Sequence, residues 1–334
     1  MGAVPRLLIL HTGGTFSMLS SREGAELDPQ PNMAGLLEQV PELGQVGTVE
    51  HHLICNRDSS DIGPEIWAAL AREIAGAIED FDGFVVIHGT DTMVYTASAL
   101  SFALRDLPKP VILTGSQRPM LSLRSDAHRN LMNACTLATQ PIPEVGICFD
   151  DLLLRGNRAK KLSIADYRAF ASPNYPPLAK IGLHVEVDHG RLRQPAGPFR
   201  LVAEFAPAVL QLKLFPGLRP EHAAAAVGAE LRGVVLEAYG AGNLPILDPA
   251  WIELLRDWHA RGVVAVMVSP CPFGRVELNL YAGGRRALEE GVVGAADMTA
   301  EAALVKLMHL LALGQDPQEI REAMAVDLAG ELQG

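Results

Sequence analysis

Gly83-Phe84-Val85-Val86-Ile87-His88-Gly89-Thr90-Asp91-Thr92-Met93 decides the fold. The run 83–87 is apolar on both faces, as in a strand buried within a parallel sheet. It breaks at Gly89 and leads into Val94-Tyr95-Thr96-Ala97-Ser98-Ala99-Leu100, which reads as a helix to about Leu104. Strand, glycine turn and helix start, in that order, put the turn where open α/β sheets bind ligands, outside the carboxyl ends of their strands. A hydroxyl, a carboxylate and a second hydroxyl sit on consecutive residues of the turn. Helix-start amides add a field that favours negative charge. The same three residues are also good helix caps, and for Thr92 capping is the expected role.

The unit recurs on both sides. Residues 7–10 read as a buried strand feeding His11-Thr12-Gly13-Gly14-Thr15. Residues 111–113 feed Thr114-Gly115-Ser116-Gln117-Arg118-Pro119, and 145–149 form another strand with Cys148 in its core. Pro64 suits the first turn of a helix whose apolar face is Ile66, Leu70, Ile74, Ala77, Ile78 and Phe81. A further helix carries Leu131, Cys135 and Leu137. Between them lie the polar turn 56–61 and a polar stretch, 17–32, long enough to be a lid. These repeats predict an α/β protein with a larger N-terminal, doubly wound, mainly parallel sheet with helices on both faces, over residues 1–187. A Pro- and Gly-rich linker follows at 188–208. A smaller C-terminal α/β domain spans 209–334, with strands at 234–236 and 263–268 and helices at 251–258 and 302–313. The turns at Thr15, Ser59, Thr90 and Ser116 are expected to converge at one mouth.

Charge narrows the partners. The 334 residues carry a net charge of −11, with no basic stripe, which argues against nucleic acid and against anionic membrane surfaces. No run of apolar residues is long enough to span a bilayer, and the first residues do not read as a secretion signal. Cys55, Cys135, Cys148 and Cys271 are widely spaced without a C-x-x-C pair, and the histidines show no ligand spacing, so a metal site is not expected. Few cysteines without an export signal suggest a cytoplasmic setting.

The reactive candidates are threonines, whose hydroxyls attack only when a neighbour removes the proton. Arg155-Gly156-Asn157-Arg158-Ala159-Lys160-Lys161 offers two lysines for that task, although a solvated surface position fits them equally well.

Thr12-Gly13-Gly14-Thr15 together with His88-Gly89-Thr90-Asp91-Thr92 resembles the paired signatures of the bacterial-type L-asparaginases. The similarity continues through Asp58-Ser59-Ser60-Asp61, Thr114-Gly115-Ser116-Gln117, Arg155-Gly156-Asn157-Arg158 and Tyr239-Gly240-Ala241-Gly242-Asn243. It covers nearly the whole chain and is nearest to the cytoplasmic type I branch. The resemblance implies hydrolysis of asparagine to aspartate and ammonia without metal or organic cofactor. It implies Thr15 as nucleophile and Thr90 with Lys161 as the proton-transferring pair. Asp91 would bind the substrate α-ammonium and Ser59 its α-carboxylate. Asp58, Ser60 and Ser116 stand nearby, and Asn243 near the site of a neighbouring subunit in a homodimer or dimer of dimers. The alternatives are a broader glutaminase-asparaginase, an amidotransferase subunit, a nucleotide-binding module and an inactive binding relative.

Two departures stand out. Ala25 falls where the family's loop tyrosine is expected, and we expect Tyr281 to supply the phenol instead. Lys160 and Glu237 replace a small hydroxyl residue and an arginine at the allosteric site of some type I relatives, which should spoil that site. Saturation with asparagine is therefore expected to be hyperbolic, and a sigmoidal initial-rate curve would contradict this.

Overall fold

A computed structural model describes residues 4–20, 25–27, 35 and 38–333. The chain forms two compact units, 1–203 and 204–334. In the first, β1 (Arg6–Gly13), β2 (Thr48–Arg57), β3 (Gly83–Ile87), β4 (Val111–Thr114), β5 (Val145–Phe149), β6 (Leu152–Arg155), β7 (Ala179–Ile181) and β8 (Val185–Val187) make one sheet. Its order is β8-β7-β6-β5-β4-β3-β1-β2. Strands β5, β4, β3, β1 and β2 run parallel, whereas β6 to β8 add an antiparallel edge. The parallel order reverses between β1 and β3, so the turns after these two strands flank the topological switch point.

Burial explains the choice of elements. Leu7, Ile9, Val85, Ile87 and Ile112 pack against α3 (Ala127–Ala138) on one face. Leu8, Leu10, Phe84 and Val86 point the other way and are equally buried. That second face is covered by α1 (Pro64–Gly76) and α2 (Met93–Ala103). Helix α2 is buried almost all round, which matches its lack of a polar stripe. Helix α1 ends at Gly76, short of the apolar spacing that runs on to Phe81. Ile78 and Phe81 stay buried, and their carbonyls instead accept from Lys109 Nζ, in the case of Phe81 at 2.7 Å. Strand β2, absent from the sequence reading, is the polar edge of the sheet, and His51 and His52 lie exposed on it.

Within the stretch read as a lid, Met18–Ser20 and Ala25–Leu27 pair antiparallel, Ser20 opposite Ala25. Residues 21–24 and 28–32 of that stretch lie outside the described residues. The segment read as a linker is tied along the first unit. Arg193 N donates to Glu144 at 2.6 Å, Ala196 N to Asp106 at 2.9 Å, and Arg200–Leu201 pairs with Leu104–Arg105.

The second unit holds four parallel strands in the order β9 (Val209–Lys213), β10 (Gly233–Glu237), β11 (Val264–Val268), β12 (Val293–Gly294). Its helices are α4 (Pro220–Ala226), α5 (Ala250–Ala260), α6 (Ala282–Glu289), α7 (Ala300–Ala312) and α8 (Pro317–Met324). On α7, Lys306 is fully buried and its Nζ lies 2.6 Å from the equally buried Glu331. The ammonium also donates to the Met324 and Val326 carbonyls, while Glu331 accepts from the Leu328 and Ala329 amides. Every polar atom of the pair is thus engaged, as burial of a charge requires. Glu331→Ala would strand the ammonium and should cost about 3–5 kcal/mol of second-unit stability, read by denaturant melts. Unchanged stability would contradict this account.

Candidate active site

Glycine sets the geometry at the switch point. Gly13 and Gly14 have φ of +102° and +85°. A Cβ built on Gly14 would stand 2.5 Å from Gly89 Cα, and one on Gly89 would stand 2.7 Å from Ser59 Cβ. The turns after β1 and β3 therefore touch through bare backbone, and Gly89 leaves room for the Ser59 side chain from the turn after β2. Thr15 and Thr90 each follow one of the apposed glycines, so their Cα atoms are no more than about 12 Å apart.

Each turn is fastened from below. Thr12 Oγ1 donates to the Ile87 carbonyl at 3.1 Å, tying β1 to β3. Asp58 caps the turn Ser59–Asp61, accepting from Ser60 N at 2.9 Å and Ser60 Oγ at 2.7 Å. Ser59 is buried against Gly89. Thr92 stands at the N-cap position of α2, but its hydroxyl does not cap the helix. It donates instead to the Ser59 carbonyl at 2.6 Å, which corrects the capping role expected for it and links the second and third turns. His88 stacks its two nitrogens between the Gly89 carbonyl at 2.7 Å and Thr96 Oγ1 at 2.8 Å. A carbonyl only accepts, so Nδ1 carries the proton and Nε2 accepts from the threonine.

Lys161 arrives from the antiparallel edge. After β6 the buried turn Gly156–Arg158 packs on α2, with a Cβ on Gly156 only 3.1 Å from Ala97 Cβ. Two residues later Lys160 and Lys161 pair with Ala171 and Phe170. A buried network holds this segment. Arg155 Nε sits 2.6 Å from Glu144, and its guanidinium lies 4.3 Å from the Tyr175 ring centroid. The segment is thus welded to the helix that starts at the Thr90 turn. Lys161 Nζ lies 2.7 Å from Thr90 Oγ1 and 2.6 Å from Asp91 Oδ1. Thr90 is 7% exposed, whereas the Asp91 side chain is 67% exposed. Hydroxyl, amine and carboxylate thus form a hydrogen-bonded series of increasing exposure, from the interior toward solvent.

Gln117 and Asp126 complete the cluster, and the sequence reading assigned them no role. Thr90 Oγ1 donates to Gln117 Oε1 at 3.4 Å. The buried carboxylate of Asp126 accepts from the backbone amides of Gln117 and Arg118 and from Asn130 Nδ2. Gln117 was visible inside the Thr114-Gly115-Ser116-Gln117 turn, but a neutral side chain in a turn carries no signal of its contacts. Ser116 is buried with its hydroxyl lacking a hydrogen-bond partner among the described residues. Asn243 and Tyr281 belong to the second unit. Asn243 closes the turn after β10, its backbone bonded to Tyr239 and its Oδ1 accepting from Leu244 N at 3.1 Å. Tyr281 precedes α6 and is half exposed.

A hydroxyl bonded to an amine at a strand-end switch point suits an α/β enzyme site for acyl chemistry. The chain belongs to the asparaginase family: residues 6–193 match its N-terminal domain and 208–324 the glutaminase/asparaginase C-terminal domain. It is 39% identical to L-asparaginase 1 of Escherichia coli over 98% of this chain and 97% of that protein. The thermostable L-asparaginase from Thermococcus kodakarensis superposes with a TM-score of 0.90 at 39% identity, covering 98% of this chain and 99% of that one. L-asparaginase I from Vibrio cholerae gives 0.90 at 36% identity, covering 99% and 100%.

Two buried imidazoles under the site respond to acid. Burial pushes His11 and His88 from 6.5 down to about 4. For His11 the neighbouring His51 and His88 act in the same direction, and for His88 the bond to the Gly89 carbonyl opposes. Both rings are neutral when folded and titrate near 6.5 when unfolded. The unfolded chain therefore binds more protons between pH 6.5 and 4. Stability is full above 6.5 and falls as the pH drops toward 4, by at most about 3 kcal/mol for each ring. Neither nitrogen of His11 has a partner among the described residues. His11→Leu should therefore flatten the fall of Tm with acid, measured by circular dichroism melts, and an equal slope in both proteins would contradict this.

Proposed function

We propose that the protein hydrolyses L-asparagine to aspartate and ammonia through a threonine acyl-enzyme. The carrying observation is the Thr90–Lys161–Asp91 line beside the Gly14–Gly89 apposition, in a chain of this family. Thr15 Oγ attacks the amide carbon, its proton goes to the leaving nitrogen, and ammonia departs. Water then attacks the ester. Thr90 accepts the proton of that water as it passes its own to the Lys161 amine; the proton returns to the Thr15 oxygen as the ester C–O bond breaks, and aspartate leaves with Thr15 and the amine restored. Turn amides around Gly14 and Thr90 stabilise the oxyanion in both steps. These hydroxyls, amides and the amine meet the chemical demand without metal or organic cofactor.

Asp91 accepts from Lys161 through Oδ1 and keeps acceptor capacity for the substrate α-ammonium. The Ser59 hydroxyl receives the α-carboxylate, in a turn that Asp58 and Ser60 hold in shape. Ser116 lines the same mouth. Tyr281 stands in for the missing loop phenol, and the half-exposed ring leaves its hydroxyl accessible. Asn243 completes the substrate site of a neighbouring subunit through its side-chain NH₂, its oxygen being engaged by Leu244 N.

The working form is a homodimer or dimer of dimers in the cytoplasm, with neither nucleic acid nor membrane as partner. Among the described residues no helix is long and apolar enough to cross a membrane. A second reading, a broader glutaminase-asparaginase, is favoured by the C-terminal match, which carries both names. One methylene separates the substrates, a difference of only about 1–3 kcal/mol.

Ammonia release from asparagine and from glutamine tests the reading. Asparagine is expected to be the better substrate. Thr15→Ala and Thr90→Val should each lower kcat by about 100- to 10,000-fold. No ammonia from either substrate would overturn the function. Tyr281→Phe should lower kcat/KM, and a wild-type value would remove that residue from the site.

A further inference from the structure

We infer that Gln117 is a positioning residue for Thr90: it holds the Thr90 proton while Lys161 is charged, and so sets the pH at which the pair becomes reactive. The inference rests on the hydrolytic reading above. It begins with hydrogen-bond direction. A threonine hydroxyl has one proton and two lone pairs, and an ammonium only donates. The 2.7 Å contact therefore runs from Lys161 Nζ to Thr90 Oγ1. The Thr90 proton is left to point at Gln117 Oε1, 3.4 Å away.

The orientation of the Gln117 amide is settled by its other end. Its Nε2 lies 3.1 Å from the Asp166 carbonyl, which can only accept. The nitrogen must face Asp166 and the oxygen must face Thr90. Neither end is free to drift. Asp126 grips the Gln117 and Arg118 amides. Ser163 Oγ accepts from the Asp166 amide at 3.0 Å, and Tyr167 Oη donates to the Arg124 carbonyl at 2.6 Å. The glutamine is thus a fixed acceptor aimed at a hydroxyl, spanning from the turn after β4 to the loop that follows Lys161.

Two proton arrangements follow. With the lysine charged, Lys161 donates to Thr90 and Thr90 donates to Gln117. With the lysine neutral, its lone pair can take the Thr90 proton, and a lone pair on Thr90 is freed toward the reacting carbon or water. Gln117 stabilises the first arrangement only. An apolar side chain there favours the second, and a carboxylate favours the first more strongly. Titratable groups on the surrounding elements are Lys160 beside Lys161, Asp166 on the following loop and Asp91 in the turn. Asp58 and Asp61 follow β2, Arg118 and Asp126 flank Gln117, and His88 lies beneath. Among the described residues, Lys161 is the charged group bonded to the hydroxyl.

The test compares Gln117→Met and Gln117→Glu with wild type, using kcat for ammonia release from asparagine against pH. The ascending limb should move down by about half a pH unit in the methionine variant, the effect of one lost hydrogen bond. It should move up by about one unit in the glutamate variant, the effect of a nearby opposite charge. A general loosening of the site would not move the limb in opposite directions. Limbs that coincide with an active wild type, or move the same way, overturn the inference. A second measurement does not need turnover: the ¹³Cε titration of Lys161, assigned with Lys161→Met, should shift in the same two senses, and identical midpoints overturn the inference. Wild-type inactivity on both amides would overturn the proposed function instead, leaving the titration to decide the role of Gln117.

Discussion

Two glycines in van der Waals contact hold this site together. Gly14 lies so close to the Gly89 backbone that it could not carry a methyl group without moving it, and a methyl group on Gly89 would collide with the Ser59 side chain. The first glycine also sits at a positive φ that other residues rarely adopt. The contact draws the ends of β1 and β3 together where the strand order reverses. A switch point ordinarily opens a crevice between diverging crossovers. Here the crevice is narrowed until the two turns touch, with Thr15 on one side and Thr90 on the other. The Thr12, Thr92 and His88 bonds beneath the turns secure what the glycines allow.

Lysine is supplied from a different part of the sheet. It comes after the antiparallel strand β6, on a segment pinned by the buried Arg155–Glu144 pair and by packing on α2. A flexible four-carbon stem would otherwise lose much rotamer entropy on reaching Thr90. Seating the backbone against the helix that Thr90 begins shortens the problem to the side chain alone. The charge gradient along the cluster is ordered too. The carboxylate is largely solvated and the hydroxyl is buried, so the amine bridges water and interior.

The sequence was most informative where burial was complete. Strands β1, β3, β4 and β5 are apolar on both faces and end in glycine or hydroxyl turns, so residues 7–10 and 83–87 could be read without ambiguity. Strand β2 was missed because it is a sheet edge, with His51 and His52 facing out and no alternation to betray it. Helix α1 stopped before its apolar spacing did, since buried residues beyond Gly76 continue the face without continuing the helix. Thr92 read as a cap from its position alone, and only the fold supplied the Ser59 carbonyl to which its hydroxyl donates instead. The partnership of Thr90 with Lys161 joins residues far apart in the chain. No spacing rule carries such a contact, and resemblance alone pointed to it. Gln117 was legible as part of a motif but not as a hydrogen-bond acceptor.

Helix α2 has almost no solvent face, and the Thr90 turn leads directly into it. A turn at the mouth of a site is ordinarily among the most pliant parts of a protein. This one cannot shift without repacking the core beneath it. The amide protons of α2 beyond its first turn should accordingly belong to the slowest class to exchange with heavy water, opening only as the first unit unfolds globally. The footing of the Thr90–Lys161 contact is then as long-lived as the fold itself.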